Sequence, residues 1–195
     1  MDGGAWLVVG LGNPGPGYAR NRHNVGQMVL DVLAARMRAS FKRHKTGAAV
    51  AEGRLSPGGP RAVLAKPETF MNESGRSAAR LTRFYTVGVD RLIVVHDELD
   101  IPFGALRLKT GGGHGGHNGV RDIASALGSP EFMRVRVGIG RPPGRQDAAD
   151  YVLRDFASTE RSTLRVLLQD AADAVTALAT DGLAAAQQTF NSLER

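Results

Sequence analysis

The chain contains no cysteine among its 195 residues, which excludes disulfides, thiolate metal ligands and thiol nucleophiles. It also lacks any long hydrophobic run. Its apolar stretches are strand-sized and interrupted, so no membrane span is expected, and the N-terminal MDGGAWLVVGLG is neither basic nor followed by a cleavage site. A soluble cytoplasmic protein is the expectation. There is no internal repeat and no linker long enough to split the chain, which predicts one domain over residues 1–195 with a sizeable core. Two nucleophile or phosphate signatures are missing as well. The glycines from Gly111 to Gly116 have the spacing of a phosphate loop but continue His117-Asn118 where Lys-Ser/Thr is required. The nearest approach to G-x-S-x-G, "NESGRS", lacks its first glycine.

What is present in excess is positive charge. Lysine plus arginine number 25 against 19 carboxylates, a formal net charge of +6, and arginine dominates. Guanidinium groups match phosphate oxygens, so a polyanion, nucleic acid first among them, is the partner this balance suggests. An arginine-rich surface that merely reflects a GC-rich genome is the competing explanation. Apolar or alternating runs bounded by Gly and Pro predict strands near 6–11, 48–55, 61–66, 91–96, 104–109 and 133–139. Helical spacing predicts helices near 22–38, 73–86, 119–127, 159–180 and 183–191, with Ser158 placed to cap the fourth and Gly182 to end it. "SPGGPR" at 56–61 reads as a hairpin loop and "RPPGRQDA" at 141–148 as a surface loop. The alternation predicts an α/β domain, its sheet mainly parallel or mixed.

The stretch "WLVVGLGNPGPGY" runs an apolar strand into Gly10-Leu11-Gly12-Asn13-Pro14-Gly15, the letters of a dinucleotide fingerprint. Its context is wrong, because Pro14, Pro16 and Gly17 keep the chain from entering a helix before about Arg22, and Asp31 falls inside a helical pattern. Four stretches instead place polar residues where strands end or helices begin. They are the first loop with Asn13, Tyr18, His23 and Asn24; "KPETFMNESG" with Met71 and Asn72; "VVHDELD" with His96, Asp97, Glu98 and Asp100; and "TGGGHGGHNG" with His117 and Asn118. A histidine, a carboxylate and several asparagines converging from strand ends would form a hydrolytic site without a protein nucleophile. Plainer roles compete: Asn72 and Asn118 stand where helix N-caps stand, His23 could be an inert surface residue, and Asp97 and Asp100 could be turn formers. A metal hydrolase built from His114, His117 and Asp97 or Asp100 is a further alternative, although a glycine run places ligands poorly.

The strings "VVGLGNPGPGYARNRHNVG", "KPETFMNESG", "HDELDIPFG", "GGGHGGHNGVRDI" and "FMRVRVGIGRP", in this order, resemble the bacterial peptidyl-tRNA hydrolase family from about Trp6 to Phe156. One departure is Asn21, where the family commonly has threonine. The resemblance implies a single α/β domain with a mixed twisted sheet flanked by helices. It implies hydrolysis of the ester between a peptide and the 3′ end of tRNA, without metal, cofactor or obligatory protein partner, by a monomer. It assigns His23 as general base on water and Asp97 as the group that orients it. Asn13, Asn72 and Asn118 would position peptide, 3′ end and water, with Tyr18 and Met71 as walls of the crevice. Lys109 and Arg136 would grip the 5′-phosphate end of the acceptor stem. Alternation in "MRVRVGIG" puts Arg134 and Arg136 on one face of a strand, Val135, Val137 and Ile139 on the other, so that the arginine face can meet phosphate. A non-catalytic tRNA-binding module and a small-substrate esterase are the alternatives, and neither needs both the His23/Asp97 pair and the basic excess.

Overall fold

A computed structural model describes residues 3–193. Seven strands form one sheet: β1 (Trp6–Gly10), β2 (Lys42–His44), β3 (Ala48–Arg54), β4 (Arg61–Pro67), β5 (Leu92–Glu98), β6 (Leu106–Thr110) and β7 (Met133–Gly138). Their order is β2-β3-β4-β1-β5-β7-β6. The inner strands β4, β1, β5 and β7 are parallel, while β2, β3 and β6 are antiparallel additions at the two edges. The sheet is therefore mixed, as the element pattern predicts, and β2 is the one strand the sequence reading lacks. Its Lys-Arg-His composition carries no apolar alternation, and it exists by pairing with Ala48–Val50.

Among the described residues the α-helices are α1 (Val25–Met37), α2 (Ser74–Tyr85), α3 (Asn118–Leu127), α4 (Ala148–Val152), α5 (Arg161–Asp181) and α6 (Leu183–Phe190). The inner strands are apolar on both faces because helices cover both. On β5, Ile93 and Val95 face a layer containing α1, α5 and α6, whereas Leu92 and Val94 face α2 and α3. Burial of a leucine such as Leu33 or Leu81, each wholly shielded, contributes roughly 1.5–3 kcal/mol. α4 starts at Ala148, the last residue of the stretch expected as a surface loop, and runs on to Val152 where no element was expected; Asp147 caps it by accepting from the Ala149 N–H. Ser158 does not cap α5. It belongs to a 3-10 turn, Ser158–Glu160, and Glu160 Oε1 reaches back to the Ala157 N–H.

The glycines of the first loop act differently from a turn. Gly10 and Gly12 lie outside the positive-φ region, and only Gly15 enters it. A Cβ on Gly10 would collide with the Gly26 carbonyl oxygen, and one on Gly26 with the Val95 carbonyl oxygen. These glycines let α1 lie directly against the ends of β1 and β5. Gly15 thus takes a turn conformation, whereas the role of Gly10 and Gly12 is close approach.

Parallel strands bring the segments after β1, β4 and β5 to one sheet edge. The glycine segment after β6 arrives by another route, because β6 is antiparallel to β7 and Thr110 sits level with Met133 at the opposite edge. Asp97 is level with Val137, four residues or about 13 Å away along the strand. Residues 111–117 recross that distance over the face of β7, and six glycine-rich links of up to ~3.5 Å each suffice.

Candidate active site

His23 lies in a 3-10 turn, Arg22–Asn24, that leads into α1, and Asp97 is the sixth residue of β5. The turn after β1 folds back so that Asn13 and Asn24 clasp each other: the Asn13 N–H donates to Asn24 Oδ1, and Asn24 Nδ2 donates to the Asn13 carbonyl, both at 3.0 Å. This clasp sets His23 above the end of β5. Its Nδ1 stands 2.8 Å from Asp97 Oδ2, and Nε2 has no protein hydrogen-bond partner among the described residues.

Asp97 is buried and holds a second imidazole, with His117 Nε2 at 2.7 Å from Oδ1. His117 is also the N-cap of α3, its Nδ1 accepting from the Gly119 and Val120 N–H groups at 3.1 and 3.3 Å. A nitrogen that accepts two N–H donors carries no proton, so the proton of neutral His117 is on Nε2 and is donated to Asp97. The carboxylate thus accepts from both rings. Burial opposes its charge, yet the two histidines outweigh that and hold its pKa far below the usual carboxylate range. Burial also works against a charged His23, but the Asp97 carboxylate prevails and raises the His23 pKa above its ordinary value.

His96, between these residues and the sheet interior, is a structural histidine. It donates from Nδ1 to the Asp97 carbonyl at 2.8 Å and packs edge-on against His117. Burial first, then the neighbouring His117 ring and the Arg134 charge, lower its pKa to about 3 despite the Asp97 carbonyl and carboxylate. It stays neutral.

A cleft of about 190 Å³ opens over the pair, lined by His23, Asp97, Glu98, His117, Asn118 and, from α4, Ala148, Ala149 and Val152. Asn118 is exposed at the first position of α3 and accepts from Arg121 Nη2 through Oδ1. His117, not Asn118, makes the cap. Asn72 makes none either, for it sits exposed within a 3-10 turn, Met71–Glu73, without a capping bond. Asn13 is buried and its Oδ1 accepts from the Met71 N–H at 2.8 Å, which ties the second stretch to the first. Met71 is buried, with Gly119 close against its sulfur. Tyr18 meets exposed Phe70 edge-on at 6.3 Å. These four residues, Asn13, Tyr18, Met71 and Asn72, adjoin the cleft's first loop but do not line the cleft itself.

The arginine face of β7 needs correction. The alternation holds, since Val135 and Val137 pack into the α1/α5 layer, but the recrossing glycine segment covers half of the opposite face. Arg134 is 1% exposed and donates to the Gly113, Gly112 and Pro130 carbonyls at 2.7–3.0 Å, with Phe132 beneath its guanidinium. It pins the glycine segment and has no face for phosphate. Arg136 and Lys109 remain partly exposed. Burial and the neighbouring cations Arg136 and Arg134 lower the Lys109 pKa, and Arg136 has Glu98 as its nearby anion. This is a cation cluster short of counter-charge.

For a metal, only His23, Asp97 and His117 group their ligand atoms, all within 4.8 Å, among the described residues. The donor set fits a cation poorly. Both His117 nitrogens are engaged, and each imidazole-to-carboxylate separation is that of an N–H···O hydrogen bond. The expected alternative set does not assemble: His114 accepts from the Gly116 N–H and Asp100 pairs with Arg141.

Residues 7–195 match the family described as peptidyl-tRNA hydrolase. The chain is 66% identical over 187 residues to peptidyl-tRNA hydrolase of Leifsonia xyli subsp. xyli, covering 96% of this chain and 97% of the relative. It is 61% identical over 193 residues to that of Kineococcus radiotolerans, covering 96% and 98%. The crystal structure of peptidyl-tRNA hydrolase from Acinetobacter baumannii superposes with a TM-score of 0.90 at 37% identity, covering 97% of this chain and 96% of that one.

Proposed function

The chain belongs to the peptidyl-tRNA hydrolase family and hydrolyses the ester of peptidyl-tRNA; we propose that it does so with His23 as general base on water and Asp97 as the anchor that orients it. The observation that carries this is the 2.8 Å contact of His23 Nδ1 with Asp97. It places the proton of neutral His23 on Nδ1 and leaves the Nε2 lone pair for a water in the cleft. That water attacks the ester carbonyl while its proton passes to Nε2, and Asp97 stabilises the imidazolium that forms. The same proton then leaves with the 3′ hydroxyl of the ribose. The peptide is formed as its carboxylic acid, which gives up the second water proton to solvent and leaves as the carboxylate.

Asn118 faces this cleft, and its amide is placed to hold the water or the developing oxyanion. Asn13 commits Oδ1 to the Met71 N–H, which turns Nδ2 the other way; that nitrogen has no hydrogen-bond partner among the described residues and is offered to the substrate beside exposed Asn72. Tyr18 and Met71 wall the groove that continues from the cleft. Lys109 and Arg136 take the 5′-phosphate end of the acceptor stem, which supplies the negative charge their surroundings lack. The chain acts as one domain over 1–195, in the cytoplasm, without a metal or an obligatory protein partner. Turnover of N-blocked aminoacyl-tRNA by the parent protein and by His23→Ala tests the reading. His23→Ala is expected to be inactive while still binding tRNA, and activity within a few-fold of the parent removes His23 from the role of base.

A further inference from the structure

The residue before the base is an arginine whose charge is buried. Arg22 is 8% exposed and no step of the hydrolysis uses it. Burying a guanidinium is unfavourable unless its donors are satisfied, and here a single segment of the chain, about 130 residues away in sequence, takes both Nη groups, while Nε has no hydrogen-bond partner among the described residues. Nη2 pairs with Glu160 Oε1 at 2.8 Å, and Nη1 donates to the Asp155 carbonyl at 2.8 Å and the Arg154 carbonyl at 3.4 Å. The guanidinium carbon lies 4.3 Å from the centre of the Tyr151 ring and 5.4 Å from that of Phe156, distances at which a cation is attracted to an aromatic face. The backbone repeats the connection. Arg22 N–H donates to the Arg154 carbonyl, Asn21 bridges to Asp155, and Asn21 Nδ2 donates to Asp155 Oδ1 at 2.9 Å.

The turn that carries His23 has three residues and no side-chain cap, so it has little stability of its own. One end is held by the Asn13–Asn24 clasp and the other by Arg22. The segment that receives Arg22 begins in α4, and α4 supplies Ala148, Ala149 and Val152 to the wall of the cleft that His23 also lines. We propose that Arg22 is the positioning residue of this site: by fastening the His23 turn to the Tyr151–Glu160 segment it fixes the imidazole against Asp97 and holds the α4 part of the cleft wall. The inference rests on His23 being the base. It assigns to the stretch 151–160 a part in the reaction beyond the single side chain, Val152, with which it lines the cleft.

Arg22→Lys tests this with the charge kept. Lysine reaches one acceptor where the planar fork reaches several, and it does not stack on Tyr151 as a guanidinium does. The charged and titratable groups around His23 are the Asp97 carboxylate, the His117 ring with its centre 5.0 Å away, Glu98 in the cleft lining and residue 22 itself. With that last charge unchanged, a change in His23 titration reports its distance from Asp97. The His23 midpoint, followed by NMR, is expected to fall together with the acid limb of the pH–rate profile. kcat is expected to fall by about 10- to 100-fold, the scale of an ångström-sized misplacement, with KM for N-blocked aminoacyl-tRNA changed less than about threefold.

Glu160→Gln keeps an acceptor oxygen and removes the charge, and it is expected to leave the midpoint close to the parent. Val175→Ala, in the α5 core, lowers stability without touching this linkage, and it is expected to leave the midpoint in place. An unmoved midpoint with kcat within twofold in Arg22→Lys overturns the proposal. So does a Glu160→Gln shift as large as that of Arg22→Lys, which would make charge the cause, or a Val175→Ala shift of that size, which would make general loosening the cause. Failure of the base assignment is separate: it appears as retained turnover in His23→Ala, whereas inactive His23→Ala with a flat Arg22→Lys response removes Arg22 alone.

Discussion

Replacing Asp97 by asparagine keeps the size of the side chain and changes its hydrogen-bond grammar. The carboxylate offers two acceptors, one to each histidine; the amide offers one acceptor and one donor. Its nitrogen cannot face His117, because His117 Nδ1 already accepts from Gly119 and Val120 N–H and two donors would meet at Nε2. The amide oxygen therefore stays with His117 and the amide nitrogen faces His23. His23 Nδ1 must then accept, and the imidazole proton moves to Nε2, the atom proposed to take a proton from water. General-base assistance contributes about 10²–10⁴ in rate, and a wrong tautomer in a histidine–carboxylate pair forfeits as much as ~10⁴. The expected loss in kcat is accordingly about 10²–10⁴, or ~3–5 kcal/mol of barrier.

The pH dependence has its own sign. Asp97 raises the His23 pKa, so without its anion the acid limb moves to lower pH and the deficit against the parent is smallest on the acid side. A pH–rate series on both proteins with one blocked aminoacyl-tRNA, and nitrogen chemical shifts of His23 to read its tautomer, check both parts. Combining Asp97→Asn with His117→Ala frees the amide to turn its oxygen toward His23, and the double variant is expected to recover about tenfold over Asp97→Asn alone. A parental rate at neutral pH, or an acid limb that stays or rises, refutes the role of Asp97. A double variant no faster than the single refutes the tautomer argument.

Chelation is expected to leave turnover unchanged; a chelator-inactivated protein restored by Zn²⁺ would return the His23–Asp97–His117 group to the metal alternative. Arg136→Ala is expected to weaken tRNA binding and to flatten its salt dependence by about one phosphate contact, with an unchanged slope removing Arg136 from that role. Arg134→Ala, which strips donors from the Gly112, Gly113 and Pro130 carbonyls and empties the space of a side chain only 1% exposed, is expected instead to lower the melting temperature by several degrees, and a parental melting curve would contradict its structural assignment. Acid sensitivity has a defined window: His96 binds its proton near pH 6.5 when unfolded but only at about pH 3 when folded. Acidification from 6.5 toward 3 therefore protonates the unfolded chain first and lowers stability by up to ~1.4 kcal/mol per unit. His23, with its folded midpoint raised, acts in the opposite direction, so urea unfolding of His96→Leu beside the parent isolates the His96 share as a flatter slope; identical slopes would refute it.

The elements that repeat an apolar period were legible in the sequence, and those made by pairing alone were not. Trp6–Gly10, Leu92–Glu98 and Met133–Gly138 announce themselves because both sheet faces are covered by helices. β2 has no such pattern and depends on a neighbour that sequence spacing does not reveal. α4 was hidden by the Pro and Gly residues before it, although Asp147 supplies a cap that the sequence does contain. The direction of β6 was illegible for a different reason: a short strand reads the same in either sense, and only the register Thr110 with Met133 shows that its end faces away from the site.

That reversal decides which polar residues were misread. With β6 taken as one more strand delivering its loop to the common edge, Arg134 and Arg136 look equivalent, both pointing from the same face toward solvent. Once the glycine segment must cross that face to bring His117 to Asp97, its carbonyls need donors and the arginine beneath it becomes one, while Arg136, two residues further along, stays open beside Glu98. The same crossing accounts for His117. A histidine after a glycine run reads as a loop residue or a loose ligand, because nothing local says that two backbone N–H groups will take its Nδ1. Their effect reaches the chemistry through one carboxylate: by committing His117 to donate at Nε2, the start of α3 leaves Asp97 a single oxygen for His23, and that oxygen dictates which His23 nitrogen is free to act on water.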